Sequence, residues 1–346
     1  MGINVSVLLR CYNQEDYIGP ILQAYNQQTY PKELFEIVFA DDGSSDSSVQ
    51  IFENSQFDFN KKLVYASHAG RVSIVNKAFK ECAGDIIIFC DGDCIPSPDF
   101  IEQHVCYHKK YDNIAVNGWT SIVKTIVFDE GGLDKASSSI EYYINNKIDA
   151  YSTIFPYKVF EMVPNHIDFA LLNSLVEHKR NSRFAEILER YGETLDSCAV
   201  PWAIFHGANF SAAKSALEAA MPIPEKFNLS FDDWYISLKL HFQGVKIING
   251  SAAVNYHQDH PRDKLKMKSA NHLAWTYLFE EFPIFEVYCI DAYYKKQYSF
   301  FELNEVSKLY KMYRENSDGK ALFEKIDEII NIASKNLRPI TSEQNV

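Results

Sequence analysis

The stretch Asp85-Ile86-Ile87-Ile88-Phe89-Cys90-Asp91-Gly92-Asp93 decides the fold. A continuous apolar, β-branched run ends abruptly in two carboxylates separated by glycine. A strand that is apolar on both faces belongs inside a parallel sheet with helices on each side. In open α/β sheets ligands bind beyond the carboxyl ends of the strands, so Asp91 and Asp93 face the expected site. Two acids one residue apart can grip a hard divalent cation that bridges phosphate oxygens, and Gly92 lets a ligand approach the backbone. The plainer reading is a polar turn after a strand. An EF-hand is excluded, although Glu102 falls at the twelfth loop position, because Ile95 and Pro96 stand where a ligand and a glycine are needed.

Working outward, the same grammar repeats. Val5–Leu9 and Phe35–Ala40 read as buried strands, Leu63–Ala66 as a third, and Glu15–Gln28 and Val72–Cys82 as helices between them. Alternating strands and helices predict an α/β fold with a mostly parallel sheet. Further on, Ile114–Val127 reads as two strands and His178–Tyr191 as an exposed charged helix. Asp232–Phe242 reads as a helix followed by a short strand at Val245–Ile248. Beyond residue 265 the pattern is helical, punctuated at Ser317-Asp318-Gly319, with a frayed tail at Arg338–Val346. Trp275, Tyr277, Phe279, Phe282, Phe285, Tyr288, Tyr293 and Tyr294 make this end aromatic-rich. Such density predicts packing onto the rest of the chain or an oligomer contact.

Composition bounds the partners. The 346 residues carry a net charge of −12, with 47% hydrophobic residues, 24 Phe and 21 Tyr. That composition excludes global disorder and the basic footprint of a nucleic-acid binder. An acidic chain that handles phosphates must recruit a cation or build a local basic pocket. The seven cysteines are scattered without a CxxC, which predicts reduced thiols rather than a disulfide framework. No signal-like leader and no apolar run of membrane-spanning length is legible, so a cytoplasmic location is expected, peripheral membrane association being the lesser alternative.

Other candidate residues lie where the strands end. After the first strand, Tyr12 could pack against a base while Arg10 or Asn13 holds a polar edge. After the second, Asp41 and Asp42 open Asp-Asp-Gly-Ser-Ser-Asp. A carboxylate here can accept from a base N–H, or it can simply make an Asx turn. Arg71 and Asn76 follow Gly70 at the third strand-to-helix passage. Asp232, Asp233 and Trp234 open a helix, where acids also favour the positive end of the dipole. His206-Gly207-Ala208-Asn209 is a polar turn that could line the same cleft. His257 and His260 could complete a metal site, and Lys264, Lys266 and Lys268 could cover a diphosphate or form a solvated helix face.

Taken in order, Ser6-Val-Leu-Leu-Arg-Cys-Tyr-Asn13, Asp41-Asp-Gly-Ser-Ser-Asp46, Arg71 with Asn76 and Ala78, and Ala83-Gly-Asp-Ile-Ile-Ile-Phe-Cys-Asp-Gly-Asp93 resemble the family 2 glycosyltransferases. Gly207-Ala-Asn209 and Asp232-Asp233-Trp234 are similar to the family's acceptor-side turn and its acidic helix motif. The resemblance runs from about Val5 to about His260. It implies the GT-A fold, a Rossmann-like sheet flanked by helices. The catalytic domain would be residues 1–262, with a nucleotide-binding half to about 110 and an acceptor half from 111, and 263–346 a helical extension.

The implied roles follow. Tyr12 and Asn13, with Asp41 or Asp42, would hold the nucleoside, and Arg71 would sit near base and diphosphate. Asp91-Gly92-Asp93 would be the DxD motif, touching ribose and Mn²⁺ or Mg²⁺. His257, with His260 close behind, would complete the metal site, and Asp233 would be the general base of an inverting transfer. His206, Gly207, Asn209, Asp232 and Trp234 would lie on the acceptor side. The implied donor is a nucleotide sugar, UDP-linked by expectation, and the acceptor a glycan, a peptide, a lipid-linked or a small molecule. The Gln-x-x-Arg-Trp motif of processive synthases is absent. A nucleotidyltransferase is disfavoured because no glycine cluster follows the first strand, and a dehydrogenase because no GxGxxG does. A non-catalytic sugar-nucleotide binder is disfavoured because every expected acid is present.

Overall fold

The computed structural model describes residues 2–124, 167, 169–174, 176, 178–228, 230–259, 264–294, 299–315, 324–328 and 330. Strands β1 (Val5–Cys11), β2 (Phe35–Asp41), β3 (Asn60–Tyr65) and β4 (Ile86–Asp91) pair in parallel in the order β3-β2-β1-β4. Helices α1 (Glu15–Asn26), α2 (Ser48–Asn54) and α3 (Arg71–Glu81) make the crossovers. Every residue of β1 and β2 is buried, as a sheet covered on both faces requires.

Beyond β4 come β5 (Cys94–Pro96), α4 (Phe100–Lys110), β6 (Ile114–Lys124), α5 (Phe169–Ser174), α6 (His178–Tyr191), β7 (Asn209–Ala213), α7 (Lys214–Glu218), α8 (Asp232–Phe242) and β8 (Lys246–Asp259). The eight described strands form one sheet, ordered β3-β2-β1-β4-β7-β6-β8-β5. β7 runs antiparallel to β4 and β6, and β5 antiparallel to β8. Helices α9 (Lys264–Glu281), α10 (Phe285–Tyr294) and α11 (Phe300–Glu315) follow.

Side-chain alternation divides the core. Val5, Val7, Leu9 and Cys11 of β1 point to the face covered by α1 and α4. Leu8 points to the other face, where Ile87 and Phe89 of β4 join α3, α8 and the C-terminal helices. Phe89 stacks on its antiparallel partner Phe210 at 4.2 Å, which fastens β7 to β4. Trp275, Leu278, Phe279 and Phe282 of the aromatic-rich end belong to this same cluster. Tyr288 remains half exposed.

The structure refines several expectations. Ile114–Lys124 is one strand, with a register shift between Gly118 and Trp119. The strand expected at Val245–Ile248 is the start of a 14-residue strand, because β8 continues through Asn249-Gly250-Ser251 instead of turning there. Helix α6 is not wholly exposed: Ile187 and Tyr191 reach the core. Residues 125–127, 317–319 and 338–346, together with His260, lie outside the described residues. All seven cysteines are free thiols. Among the described residues no helix is long and apolar enough to cross a membrane.

Candidate active site

Strand register assembles the site. Arg10 is paired with Asp91 across β1 and β4, and Cys11 with Asp41 across β1 and β2. Antiparallel pairing of Cys90 with Asn209 brings the 206–209 turn to the end of β4. Pairing of Cys94 with His257 sets that imidazole beside Asp93.

The charged centre is built on Arg10, which is buried. Its Nε donates to Asp91 Oδ1 at 2.7 Å, Nη1 to Asp232 Oδ2 at 3.1 Å and Nη2 to the Gly207 carbonyl at 2.9 Å. Burial alone would lower the guanidinium's affinity for its proton. The facing carboxylates of Asp91, Asp232 and Asp233 outweigh it, so the pKa rises and the charge is permanent. Arg71 Nη2 pairs with the other oxygen of Asp232, while its side chain stays 40% exposed at the mouth. Asp232 is therefore clamped between two guanidinium groups.

Asp233 is placed differently. Its Oδ2 accepts from the Gly207 amide at 3.1 Å and its Oδ1 from the Trp234 amide at 2.9 Å. Burial first, then the Asp232 carboxylate, push its pKa up to about 6, against the pull of Arg71 and the two amides. A carboxylate tuned toward neutrality has a general base's chemistry. The preceding residue, Phe231, has φ 65°, a left-handed backbone rarely taken by an aromatic residue, and its ring stacks on Trp234 at 4.8 Å. Trp234 is buried against Trp202, so its side chain is core.

Asp93 is almost fully buried, and its Oδ2 lies 3.4 Å from His257 Nε2. Cys94 Sγ donates to its other oxygen at 3.2 Å. Among the described residues no group of three His, Cys, Asp or Glu side chains gathers around one point. Asp93 and His257 are nonetheless a carboxylate and an imidazole side by side, donor types that suit a divalent cation. At Gly92 a Cβ would strike Gln14 Oε1 and stand 2.8 Å from the Arg10 carbonyl, so the turn between the two acids admits only glycine without rearrangement.

At the ends of β1 and β2, Tyr12 is 45% exposed and stacks on His68 at 4.4 Å. Asp42 accepts from the Gly70 amide at 3.0 Å and lies 3.5 Å from His68 Nδ1. Asp41 is fully buried and spends its oxygens on Gly43, Ser44 and the Ser44 hydroxyl. Asn13, with φ 51°, accepts from Ser45 and so locks the two loops together.

Two predicted residues stand apart. Asn76 exchanges two hydrogen bonds with the backbone of Ile223, both 2.8 Å. Asn209 is fully buried, with its amide oxygen toward His104 and its nitrogen donating to the Ala253 carbonyl at 2.9 Å. Both pin backbone. His206 is exposed beside Gly207. Sequence reasoning passed over His68 and Gln14; Asn228, read only as part of the segment that opens the Asp232–Asp233 helix, accepts through Oδ1 from the Val72 amide at 2.7 Å to start α3. For His68 the available signal was its place just before Ala69-Gly70-Arg71, a passage with two left-handed residues.

A family model described as Glycosyl transferase family 2 matches residues 6–163. Over 280 residues the chain is 26% identical to the uncharacterized glycosyltransferase YfnE of Bacillus subtilis, covering 75% of this chain and 66% of that one. Over 90 residues it is 34% identical to the poly(ribitol-phosphate) beta-N-acetylglucosaminyltransferase TarS of Staphylococcus aureus, covering 25% of this chain and 16% of that one. The chain thus spans less than two thirds of these relatives' own lengths. In structure it is similar to S. aureus TarS 1–349 in complex with UDP-GlcNAc, with TM-score 0.52, 14% identity and coverage of 96% and 89%. It is also similar to the mannosyltransferase PcManGT of Pyrobaculum calidifontis in complex with GDP-Man and Mn²⁺, with TM-score 0.54, 16% identity and coverage of 96% and 86%. These likenesses show the GT-A fold.

Proposed function

We propose that this chain, which carries a family 2 glycosyltransferase domain of GT-A fold, moves a sugar from a nucleoside diphosphate to an acceptor nucleophile with inversion. The observation that carries the reading is the meeting of two acid motifs at one point. The Asp91-Gly92-Asp93 turn and the Asp232-Asp233 helix start are joined through Arg10. A donor held by the first places its anomeric carbon within reach of an acceptor approaching the second.

The Tyr12–His68 surface receives the base of the donor, UDP by preference, and Asp42 stands beside it. Asp93 and His257, with His260 as the further candidate, would hold a divalent cation, Mn²⁺ or Mg²⁺, which would supply positive charge against the departing diphosphate. Arg71 supplies a second positive charge at the same mouth. Asp91 is held by Arg10 and faces the ribose. Asp233 takes the acceptor's proton as the acceptor attacks the anomeric carbon from the face opposite the leaving group. A single displacement inverts that centre. The acceptor is a glycan, a peptide, a lipid-linked or a small molecule, and the wall offered to it is the turn His206-Gly207 and the Asp233 side of α8.

The test is turnover of a panel of nucleotide sugars on mixed acceptors, with Mn²⁺ and with EDTA, and NMR of the product anomer. Transfer with metal and inverted configuration supports the reading. Nucleotide binding without turnover of any donor would leave a non-catalytic binder, and a retained configuration would remove the single-displacement mechanism.

A further inference from the structure

Arg10 is an unusual residue for its position. Ser6, Leu8 and Arg10 share one face of β1, and that face lies against the core under α3 and α8. A guanidinium is tolerated in such a place only when its donors are met by acceptors fixed in the right directions. Here three segments distant in sequence supply them: Asp91 from β4, Asp232 from α8 and the carbonyl of Gly207 from the turn before β7. The first belongs to the half that receives the donor and the other two to the half that receives the acceptor.

The contacts continue past Gly207. While its carbonyl accepts from Arg10, its amide donates to Asp233 Oδ2 at 3.1 Å. A Cβ on this residue would stand 3.1 Å from Arg10 Nη2 and 3.4 Å from the Asp233 Cβ, so the turn is pressed between the two side chains. Arg10 touches one end of the residue and Asp233 the other.

The geometry points to Arg10 as a positioning residue of the transfer reaction: its guanidinium locks the Gly207 turn against β4, and the locked amide of Gly207 aims the Asp233 carboxylate at the acceptor. The inference rests on the glycosyl-transfer reading of the site. Arginine suits this task because its planar fork reaches three acceptors in fixed directions, which an ammonium on a flexible stem does not reproduce. Misaiming a catalytic group by about 1 Å can cost about 10²-fold in rate, so the effect falls on kcat.

The experiment compares wild type with Arg10→Gln and Arg10→Lys in three measurements: kcat and KM on a turned-over donor, calorimetric affinity for the product nucleoside diphosphate with Mn²⁺, and hydrogen exchange of the Gly207 amide. Arg10→Gln is expected to lose about 10²-fold in kcat, well beyond the loss of nucleotide affinity that follows from releasing Asp91. Its Gly207 amide should exchange about tenfold faster, because loss of the Arg10 bond to the Gly207 carbonyl frees the turn that holds this amide against Asp233. Arg10→Lys should recover part of the kcat. Unchanged kcat overturns the inference. So does a kcat loss with unaltered Gly207 exchange, or a loss of nucleotide affinity in proportion to the loss of rate. Should Arg10→Gln not fold, Arg10→Lys decides on the same three readouts. If wild type turns over no nucleotide sugar, the functional reading falls by itself. The Gly207 exchange needs no substrate and still judges the positioning.

Discussion

Asp232 and Asp233 are adjacent in the chain yet hold opposite surroundings: the carboxylate of Asp232 accepts from both Arg10 and Arg71, and that of Asp233 accepts from the backbone amides of Gly207 and Trp234. Consecutive helical side chains diverge by about 100°, so one acid turns into the charged centre and the other toward the cleft. Their substitutions separate accordingly. Asp233→Asn keeps the shape and removes the basicity, so kcat should fall by about 10²–10⁴ with nucleotide binding near wild type. Asp232→Asn leaves Arg10 short of a charge in a buried place and should cost about 2–3 kcal/mol of stability, less than a wholly buried pair because Arg71 is partly in water. Urea midpoints and single-turnover rates on both variants check the division of roles.

The pH profile follows from Asp233. With its pKa pushed up to about 6 by burial and by Asp232, the carboxylate is ionised and basic above that pH and neutral below it. Activity, kcat/KM, should rise through about pH 6 and level off above it, an acid limb absent from the residual rate of Asp233→Asn. Stability moves the other way. A carboxyl whose folded pKa is raised adds stability that is present below about pH 4 and lost as pH rises through 6. Asp233→Asn should therefore gain on wild type in Tm between pH 5 and pH 7.5. A constant Tm difference across that window would contradict the assigned shift.

Metal dependence is read from Asp93 and His257, whose donor atoms lie 3.4 Å apart. EDTA should abolish transfer, and Mn²⁺ or Mg²⁺ should restore it. Asp93→Asn and His257→Ala should each weaken Mn²⁺-dependent UDP binding by calorimetry, and His257→Ala more than His260→Ala. Full activity of Asp93→Asn in chelator would dispose of the metal altogether.

Gly92→Ala tests the turn between the acids. The new methyl would meet Gln14 Oε1 and the Arg10 carbonyl. A flexible amide can move, but a carbonyl inside the β1–β4 ladder cannot. Overpacking of this kind costs about 1–3 kcal/mol, and nucleotide affinity should fall with it because Asp91 and Asp93 flank the displaced residue. Thermal shift with and without UDP and Mn²⁺ reads both effects.

Phe279 is fully buried in the cluster that reaches from β4 to the C-terminal helices. Phe279→Ala should cost about 3–5 kcal/mol, measurable as a lower denaturant midpoint. A near-neutral result would mean that α9 does not share that core.

Strands β1, β2 and β4 were legible because a strand buried on both faces must be written in apolar, β-branched residues. β7 was not: Asn-Phe-Ser-Ala-Ala carries one large apolar side chain, and its strand state comes from the neighbours it pairs with, Phe210 against Phe89 above all. β5 is three residues long and exists by pairing with β8. In the site, the acids at strand ends could be placed from pattern alone. For Asp41 the local pattern offered a base contact or an Asx turn, and its oxygens go to the turn. Local pattern could not reveal that Asn76 and Asn209 serve backbone groups far along the chain. His68 was passed over because a lone histidine in a loop carries no periodic signal; its meaning lies in the ring it covers.

The left-handed backbone of Phe231 bears on how the acid pair can be redesigned. An aromatic residue held at φ 65° gives up about 1–2 kcal/mol relative to the conformation it prefers, and an isolated peptide of this sequence would relax out of it. The ring's stacking on Trp234 favours the angle, so the direction of the helix start rests on an aromatic pair as well as on the contacts of the acids. Glycine at 231 would suit the dihedral better and surrender that ring contact, exchanging a locally strained hinge for a locally comfortable one. Engineering at this helix therefore has a further handle besides the acids and the Gly207 turn: the aromatic pair beneath them sets the backbone on which Asp232 and Asp233 stand.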